Sequence, residues 1–340
     1  MRAGIFVAYW PWFTPQEQIE LAVLADQEGL DSVWVAEAWG QDAVSLAGFI
    51  AARTERLAIG TALMQIPARP PAATAMAAAT IDVLSGGRFR LGLGVSGPQV
   101  SEGWYGVPFK RPVSRTREYV EIVRMALSGE KVKYDGREYT LPLPGGLGKS
   151  LRLLAEPVQK PIPVYLGATG PKAVELVGEI ADGWIPFMLD PEDPSSLFDP
   201  LQVGLDKAGR SRSDIDVCVA VGVGLSEDIG EARDAVRPLM AFYMGAMGAK
   251  EKNFYVELAE RAGFGDMARD VQDTWLGGDR VGAIGKVTDE LVDKLALACR
   301  PSELEGRLAA FSDAGVDTLV GVPCGPDKPA IVRALGAALA

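Results

Sequence analysis

The sequence of 340 residues contains no histidine. Without an imidazole group, a Ser-His-Asp or Cys-His mechanism is impossible, and a typical zinc or non-haem iron site is not expected. Any proton transfer must therefore use a carboxyl group, a tyrosine, a lysine, a serine or water. We predict no metal site.

Cysteine is also scarce, with 3 residues in the chain and no CxxC motif. Cys218 and Cys324 lie in or beside apolar runs that read as strands, which is typical of buried structural thiols. So few scattered thiols suit a reducing compartment, and we expect a cytoplasmic protein.

Basic residues are outnumbered, since 34 Lys and Arg face 45 Asp and Glu for a net charge of −11. An acidic chain without basic runs repels nucleic acid and anionic lipid. No apolar run reaches the ~18 residues of a membrane span, and the first residues lack the apolar core and cleavage site of a signal peptide. We therefore expect no nucleic-acid partner and no membrane association.

The chain is rich in strand–helix alternation, most clearly over 59–97. A strand there is followed by a helix over 72–84, whose only charge is Asp82, and by a second strand over 89–94. This order predicts a parallel βαβ unit. A helix with almost no polar face is buried on more than one side, so we expect it to contact a second subunit of a homodimer.

Eight apolar segments predict strands, and helices separate most of them. Eight strands in 340 residues fit an α/β fold of the (β/α)8 TIM-barrel type better than an open doubly wound sheet. No low-complexity linker divides the chain, so we predict one domain over 1–340, with insertions at about 95–113, 130–160 and 242–299 that form the binding face. The predicted strands cover 3–8, 32–36, 57–64, 89–94, 162–167, 183–187, 216–223 and 318–322.

Two segments at predicted strand ends carry candidate chemistry. The run Gly167-Ala168-Thr169-Gly170-Pro171-Lys172 leads from a strand into a helix through small residues. Its amide groups and the positive end of the helix dipole favour a phosphate, and a tight turn without a ligand is the alternative. Glu37 ends the second strand, where a carboxylate in a barrel is more often functional than structural. A salt-bridge partner is the alternative for Glu37.

Aromatic residues cluster beside the same strand ends. They would suit a flat, largely apolar ligand, and packing of the upper layer of the barrel is the alternative. We predict that four of them bind substrate: Trp10, Trp39, Trp104 and Phe187.

With these residues the chain resembles the bacterial-luciferase-like superfamily and, within it, the coenzyme F420-dependent oxidoreductases. The resemblance covers essentially the whole chain and is more specific for the superfamily than for its flavin-like cofactor. It rests on five motifs: Gly60-Thr61-Ala62-Leu63 with Arg69 and Pro71, Ser85-Gly86-Gly87-Arg88-Phe89 with Leu91-Gly92-Leu93-Gly94, Gly167-Ala168-Thr169-Gly170-Pro171, Ala181-Asp182-Gly183-Trp184, and Ala314-Gly315-Val316-Asp317.

The resemblance implies a bacterial-luciferase-like TIM barrel with coenzyme F420, or alternatively FMN, across its C-terminal mouth. It also implies a non-prolyl cis peptide at Ala62-Leu63 behind the deazaflavin ring, an acidic residue after strand two, a cofactor loop after strand four and a phosphate loop. The implied cofactor-binding residues are Glu37, Ala62, Leu63, Val95, Ser96, Gly97, Gly167, Ala168, Thr169, Gly170, Pro171 and Lys172.

The chain departs from the sugar-phosphate dehydrogenases that this resemblance includes. Ala38 stands where they have a histidine, Gly97 or Pro98 where they have an acid, and the run Pro186-Phe187-Met188 supplies no lysine. Oxidation of a sugar phosphate is therefore not expected. A larger, more apolar small-molecule or peptide substrate fits better, such as a ketone, an activated alkene or a dehydroamino acid in a modified peptide.

We expect hydride transfer between F420 and an organic substrate, for which the protein aligns the reacting carbons and excludes water. A proton donor is still required. The catalytic candidates are Glu37, Ser96 and Tyr105, with Glu102 or a held water as further candidates. A two-component FMN-dependent monooxygenase is an alternative, although many such enzymes use a histidine near the flavin. A non-catalytic barrel that binds a flavin-like ligand is a third interpretation.

Overall fold

The computed structural model describes residues 1–9 and 12–338. Within these ranges the chain forms twelve strands, ten of them in one sheet. The strands are β1 (Arg2–Val7), β2 (Ser32–Val35), β3 (Ala58–Thr61), β4 (Met64–Gln65), β5 (Phe89–Gly94), β6 (Tyr134–Asp135), β7 (Thr140–Leu141), β8 (Val164–Leu166), β9 (Gly183–Trp184), β10 (Asp216–Leu225), β11 (Leu297–Cys299) and β12 (Thr318–Pro323).

Eight of these strands close into a barrel. Neighbours pair in parallel in the order β1-β2-β3-β5-β8-β9-β10-β12, and β12 pairs with β1 to complete the ring. A closed ring of eight parallel strands with helices around it is a TIM barrel. The fold class predicted from the sequence is therefore confirmed.

The α-helices in the described ranges surround the barrel or belong to its insertions. They are α1 (Pro15–Gln27), α2 (Ala43–Ala51), α3 (Pro71–Ser85), α4 (Pro98–Gly103), α5 (Pro112–Leu127), α6 (Pro171–Ile180), α7 (Ser195–Ala208), α8 (Ile229–Ala246), α9 (Phe254–Arg261), α10 (Gly265–Leu276), α11 (Arg280–Gly285), α12 (Asp289–Leu295), α13 (Leu304–Asp313) and α14 (Lys328–Ala338). Short 3₁₀ helices cover Ile66–Ala68, Arg212–Asp214 and Pro301–Glu303. None of the helices in these two ranges combines the length and the apolar character needed to cross a bilayer.

The barrel forms because its strands are apolar on both faces. Every residue of β10 except the first and last is buried. Inside the ring, the Trp34 indole donates to Ser32 Oγ at 3.0 Å, and its ring centre lies 4.9 Å from that of Tyr165. A Cβ atom at Gly60 would lie 2.2 Å from this indole. Strand β3 therefore approaches the tryptophan only because position 60 is glycine.

The predicted strands match the barrel in number and order but differ in detail. The predicted strand over 57–64 is divided into β3 and β4. The strand over 183–187 is reduced to β9, followed by an isolated bridge between Phe187 and Ala220. The segment 242–299, predicted as an insertion, contains β11 in addition to its helices, and the three buried residues of this strand pair with the end of β10. Periodicity missed this strand because three residues are too few to show one.

The three predicted insertions do not all reach the same end of the barrel. The segments 95–113 and 242–299 supply residues to its C-terminal mouth. The segment 130–160 connects α5 to the beginning of β8 and therefore lies at the opposite end, where Asp82 accepts hydrogen bonds from the amides of Val158 and Gln159. The expectation that 130–160 forms part of the binding face is wrong.

Candidate active site

A cavity of about 280 Å³ opens at the C-terminal end of the barrel. The residues that follow six barrel strands surround it, together with parts of the insertions over 95–113 and 242–299. Twelve residues predicted to be functional line this cavity: Glu37, Trp39, Ala62, Leu63, Val95, Ser96, Gly97, Gly167, Ala168, Thr169, Gly170 and Phe187.

Two predicted residues of the segment 95–113 do not line the cavity. Trp104 is 64% exposed and points to solvent. Tyr105 is half-buried, and burial together with the nearby charge of Glu37 raises its pKa. Neither a substrate contact for Trp104 nor proton donation by Tyr105 into the cavity is supported by these positions. The fourth predicted substrate residue, Trp10, lies outside the described residues.

One wall of the cavity is formed by Ala62 and Leu63. The peptide bond between these residues is cis, as the resemblance implied. A Cβ atom at Gly94 would lie 2.7 Å from Leu63 Cδ1, and one at Gly167 would lie 2.1 Å from it. Glycines on two adjacent strands therefore make room for the leucine side chain. Leucine and strand backbone together form an apolar wall.

The loop after β5 adopts an uncommon backbone conformation. Ser96 has a φ of 60°, in the left-handed region that a non-glycine residue occupies at a cost of about 1–3 kcal/mol and mainly at functional sites. A Cβ atom at the next residue, Gly97, would meet no atom within 4 Å. The Val95-Ser96-Gly97 loop therefore presents backbone and small groups to the cavity, where a ligand can approach closely.

The loop after β8 presents amide groups that the protein itself does not use. Among residues 1–9 and 12–338, the N–H groups of Ala168, Thr169 and Gly170 donate to no protein acceptor. The Trp184 indole donates to the Ala168 carbonyl oxygen at 3.0 Å and holds the loop in place. Helix α6 begins directly afterwards at Pro171, so its positive end adds to the three amides. Such an arrangement suits an anionic group.

The cationic side chain at the loop after β8 is Arg261 and not the predicted Lys172. Lys172 Nζ lies 2.7 Å from Glu175 Oε2 on the surface of α6, and Lys172 and Pro171 are both exposed outside the cavity. Arg261 of α9 reaches the loop instead, and its Nη2 donates to the Thr169 carbonyl oxygen at 3.2 Å. Sequence reasoning missed Arg261 because it is 92 positions from its partner.

Glu37 is buried with every lone pair of its carboxylate occupied. Arg69 donates to both oxygens, from Nη1 to Oε2 at 2.7 Å and from Nη2 to Oε1 at 2.6 Å. The backbone amides of Gln65 and Ala43 complete the set, at 2.8 Å to Oε2 and 3.2 Å to Oε1. A carboxylate has about four lone-pair sites, so none remains for a ligand. The expected catalytic role of Glu37 is therefore replaced by a positioning role that ties the end of β2 to the segment after β3.

The far side of the cavity is a cluster of aromatic rings in which Phe187 was predicted to bind substrate, whereas Tyr9, Tyr243 and Tyr255 were not selected as site residues. The ring centre of Tyr243 lies 4.4 Å from that of Phe187 and 4.6 Å from that of Tyr255. Its hydroxyl donates to Tyr9 Oη at 3.4 Å. Burial raises the pKa of all three tyrosines. Their positions in the sequence could have indicated this cluster, since Tyr9 follows β1 and Tyr243 and Tyr255 lie in the insertion over 242–299.

The fold and the site together define a TIM-barrel protein in which one cavity combines an apolar wall with the amide loop over 168–170. The family model of the luciferase-like monooxygenases matches residues 1–318. This chain belongs to the luciferase-like monooxygenase family.

Individual relatives extend over nearly the whole chain. A Mycobacterium tuberculosis protein with the provisional name coenzyme F420-dependent oxidoreductase is 40% identical over 327 residues, which cover 94% of each chain. The 5,10-methylenetetrahydromethanopterin reductase of Archaeoglobus fulgidus is 30% identical over 320 residues, which cover 92% of this chain and 91% of the reductase. The structure of coenzyme F420-dependent tetrahydromethanopterin reductase from Methanopyrus kandleri is similar with a TM-score of 0.86 and 25% identity, covering 99% of this chain and 98% of the other.

Proposed function

We propose that this protein is a coenzyme F420-dependent oxidoreductase that transfers a hydride between the deazaflavin and an organic substrate. One observation carries the proposal. The cavity has an apolar wall at Leu63 and, beside it, a loop whose three amides donate to no acceptor among the described residues. A flat ring fits the wall, and a phosphate on its side chain fits the loop. Relatives named for this coenzyme match almost the whole chain.

The residues of the cavity then have separate tasks. Bound F420 supplies the hydride chemistry. Leu63 would support the ring, together with the loop Val95-Ser96-Gly97. The amides of 168–170 would hold the phosphate, with Arg261 adding positive charge beside them. Because hydride transfer requires carbons held at about 3–3.5 Å, alignment is the main work of these groups.

The substrate in this proposal is a ketone or an activated alkene, either as a small molecule or within a modified peptide. The side of the cavity opposite the amide loop is lined by apolar and aromatic side chains, including Tyr9 and Tyr243. Lys252 is the one cationic side chain among the described lining residues. A sugar phosphate on that side would require more cationic partners than this.

The decisive test is a titration of the purified protein with F420, followed by the change in its absorption, with FMN titrated in parallel. We expect saturable binding of F420 and much weaker binding of FMN. Ala168→Asp should weaken F420 binding far more than the isosteric Ala168→Asn, because the added charge repels the phosphate. The difference should shrink at high salt and vanish for the phosphate-free deazaflavin chromophore. A protein that binds no F420 does not have the proposed function.

FMN is the second candidate cofactor, because the same wall and loop would accommodate its ring and phosphate. Tight binding of reduced FMN, with oxygen consumption in the presence of a long-chain or aromatic substrate, would identify a two-component monooxygenase instead. Binding of a flavin or deazaflavin without turnover of any substrate would identify a non-catalytic barrel.

We also propose a homodimer formed through α2 and α3, which pack side by side. Their outer faces expose Phe49, Met76 and Leu84, of which Leu84 is 67% exposed. Clustered exposed apolar side chains mark contact sites, and a second copy would cover them symmetrically. Leu84→Glu should convert the dimer to a monomer in analytical ultracentrifugation, whereas Val281→Glu, on the exposed surface of α11, should not. A wild-type monomer at all concentrations would refute this proposal.

A cytoplasmic location completes the proposal. The three cysteines are unpaired, which fits a compartment where thiols stay reduced. Fractionation of the native host cell, with the protein recovered in the membrane or secreted fraction, would contradict it.

A further inference from the structure

The cavity has two halves on opposite sides of the barrel. The apolar wall, the loop 95–97 and the amide loop follow β3, β5 and β8, which are consecutive in the ring. Tyr9 follows β1, and Tyr243 lies on α8, the helix after β10. Strands β10 and β1 flank β12 and lie across the ring from the first group. The tyrosine half therefore faces the half to which we assign the cofactor, which makes it the place for a substrate.

Few groups in this cavity can exchange a proton. Among the described lining residues, the ionisable side chains are Glu37, Lys252, Tyr9, Tyr243 and Tyr255. Glu37 has no unoccupied lone pair, as shown above. Lys252 is exposed at the rim, with its ammonium 5.6 Å from the ring centre of Phe254. Among the ionisable side chains, the tyrosines are therefore the ones placed to exchange a proton inside the cavity.

Two of these tyrosines form a directed pair. Tyr243 Oη donates to Tyr9 Oη at 3.4 Å, and Tyr9 Oη donates to no acceptor in the described part of the chain. Tyr9 is 8% and Tyr243 3% exposed, with Phe187 packed on Tyr243 at 4.4 Å. A hydroxyl whose own proton is unused, polarised by a second hydroxyl in a water-poor site, can donate that proton to a substrate oxygen.

We propose that Tyr9 is the catalytic residue that binds the oxygen of the substrate and protonates it, and that Tyr243 is the positioning residue behind it. This inference rests on the proposed function, which provides the reductant. In ketone reduction, the carbonyl carbon forms a bond to the hydride, and the electron pair of the C=O π bond moves to oxygen. That oxygen takes the Tyr9 proton. The proton of Tyr243 then passes to Tyr9, and solvent water restores Tyr243.

A spectroscopic probe tests the binding step. The complex of the protein with F420 is titrated with 2-cyclohexen-1-one, and the C=O stretching band of the bound enone is measured by infrared difference spectroscopy. We expect a band shifted to lower frequency in the wild type and a loss of that shift in Tyr9→Phe, with about tenfold weaker binding. Tyr243→Phe should retain a smaller shift, because Tyr9 then still donates but is no longer polarised.

The control is Tyr165→Phe, which removes a buried hydroxyl that donates to Asp216 at 2.8 Å and does not line the cavity. It should leave both the enone band and the F420 affinity unchanged. All three variants should bind F420 as the wild type does. Loss of F420 binding by the wild type would count against the proposed function itself, whereas the enone band reports only on the tyrosine pair.

Turnover tests the proton step. With reduced F420 and a series of small ketones and enones, Tyr9→Phe should lower kcat about 100-fold for the fastest substrate, in the range expected for loss of a general acid. An unshifted enone band in the wild type, a band that is identical in Tyr9→Phe, or a wild type that binds F420 but reduces no member of the series would each overturn the inference.

Discussion

Glutamine has nearly the same volume as glutamate, so Glu37→Gln changes the charge of this side chain but not its size. We expect this substitution to destabilise the protein. In Glu37→Gln, one carboxylate oxygen becomes an amide nitrogen that faces two other donors, an Arg69 nitrogen and a backbone amide. The side chain of Glu37 is 2% exposed and that of Arg69 is 18% exposed. The hydrogen bond to Glu37 raises the pKa of Arg69 more than burial lowers it. An arginine side chain stays charged in proteins even without such a partner, so in the variant a largely buried guanidinium loses its principal partner.

The expected magnitude follows from the burial of this pair. Removing one partner of a buried ion pair costs about 3–5 kcal/mol. Arg69 keeps a second partner, since its Nη2 donates to Asp42 Oδ1 at 2.6 Å, so the lower end of that range applies. We expect Glu37→Gln to lower the free energy of unfolding by about 3 kcal/mol. Urea unfolding at pH 7, followed by circular dichroism, measures it.

A matched control uses the outer member of the same network. The Asp42 side chain is 45% exposed, and exposed ion pairs contribute about 0–1 kcal/mol. Asparagine also caps a helix well, so Asp42→Asn should retain the cap that Asp42 provides to α2 and cost less than about 1 kcal/mol. If Glu37→Gln proved no more costly than Asp42→Asn, the assignment of Glu37 as a saturated positioning residue would be refuted.

Three further substitutions test other parts of the structure. Asp26→Asn should cost about 1–3 kcal/mol at pH 7, because three backbone amides after α2 donate to this carboxylate. Burial alone would raise the pKa of Asp26, but these hydrogen bonds lower it. The stabilisation is therefore fully present above the ordinary aspartate pKa of about 4, and it is lost as the pH falls through the lower pKa of the folded state. Gly167→Ala should weaken F420 binding in an absorption titration about tenfold, because the new methyl would lie 2.1 Å from Leu63 Cδ1 and force that side chain to move. Gly60→Ala should lower stability by about 1–3 kcal/mol in thermal unfolding, since its Cβ would lie 2.2 Å from the enclosed Trp34 ring.

Each of these predictions has a clear opposite outcome. An Asp26→Asn penalty that stays constant into acid pH would mean that its carboxylate charge is irrelevant. Unchanged F420 affinity in Gly167→Ala would show that Leu63 is not the wall behind the ring. A fully stable Gly60→Ala protein would show that the barrel interior tolerates displacement of Trp34.

The sequence predicts the barrel well because its signals are local. Each strand is a short apolar run, and some turns into a helix are marked by small residues, as in the run from Gly167 to Pro171. These patterns depend on neighbours within a few positions, so they can be recognised in the sequence without any knowledge of the fold. The strand β11 escaped because its stability comes from pairing with β10 and not from its own three residues.

The side-chain partners in the site are much less predictable. Whether Glu37 is a proton donor or a saturated anchor depends on Arg69, 32 positions away. The Tyr9 and Tyr243 hydroxyls meet across 234 positions. Lys172 turns toward Glu175 because a carboxylate three positions along the helix is within reach. Such contacts are decided by the closed ring, which brings distant loops together.

The aromatic half of the cavity has a consequence for how the protein responds to acidity. Histidine is the side chain whose ordinary pKa places a charge change between about pH 5 and 8, and the chain has none. The tyrosines hold their protons even more firmly than free phenols, because burial raises their pKa. Tyr9, Tyr243 and Tyr255 therefore stay uncharged across that pH range. A bend in the curve of reaction rate against pH between about pH 5 and 8 would therefore have to come from groups other than these tyrosines.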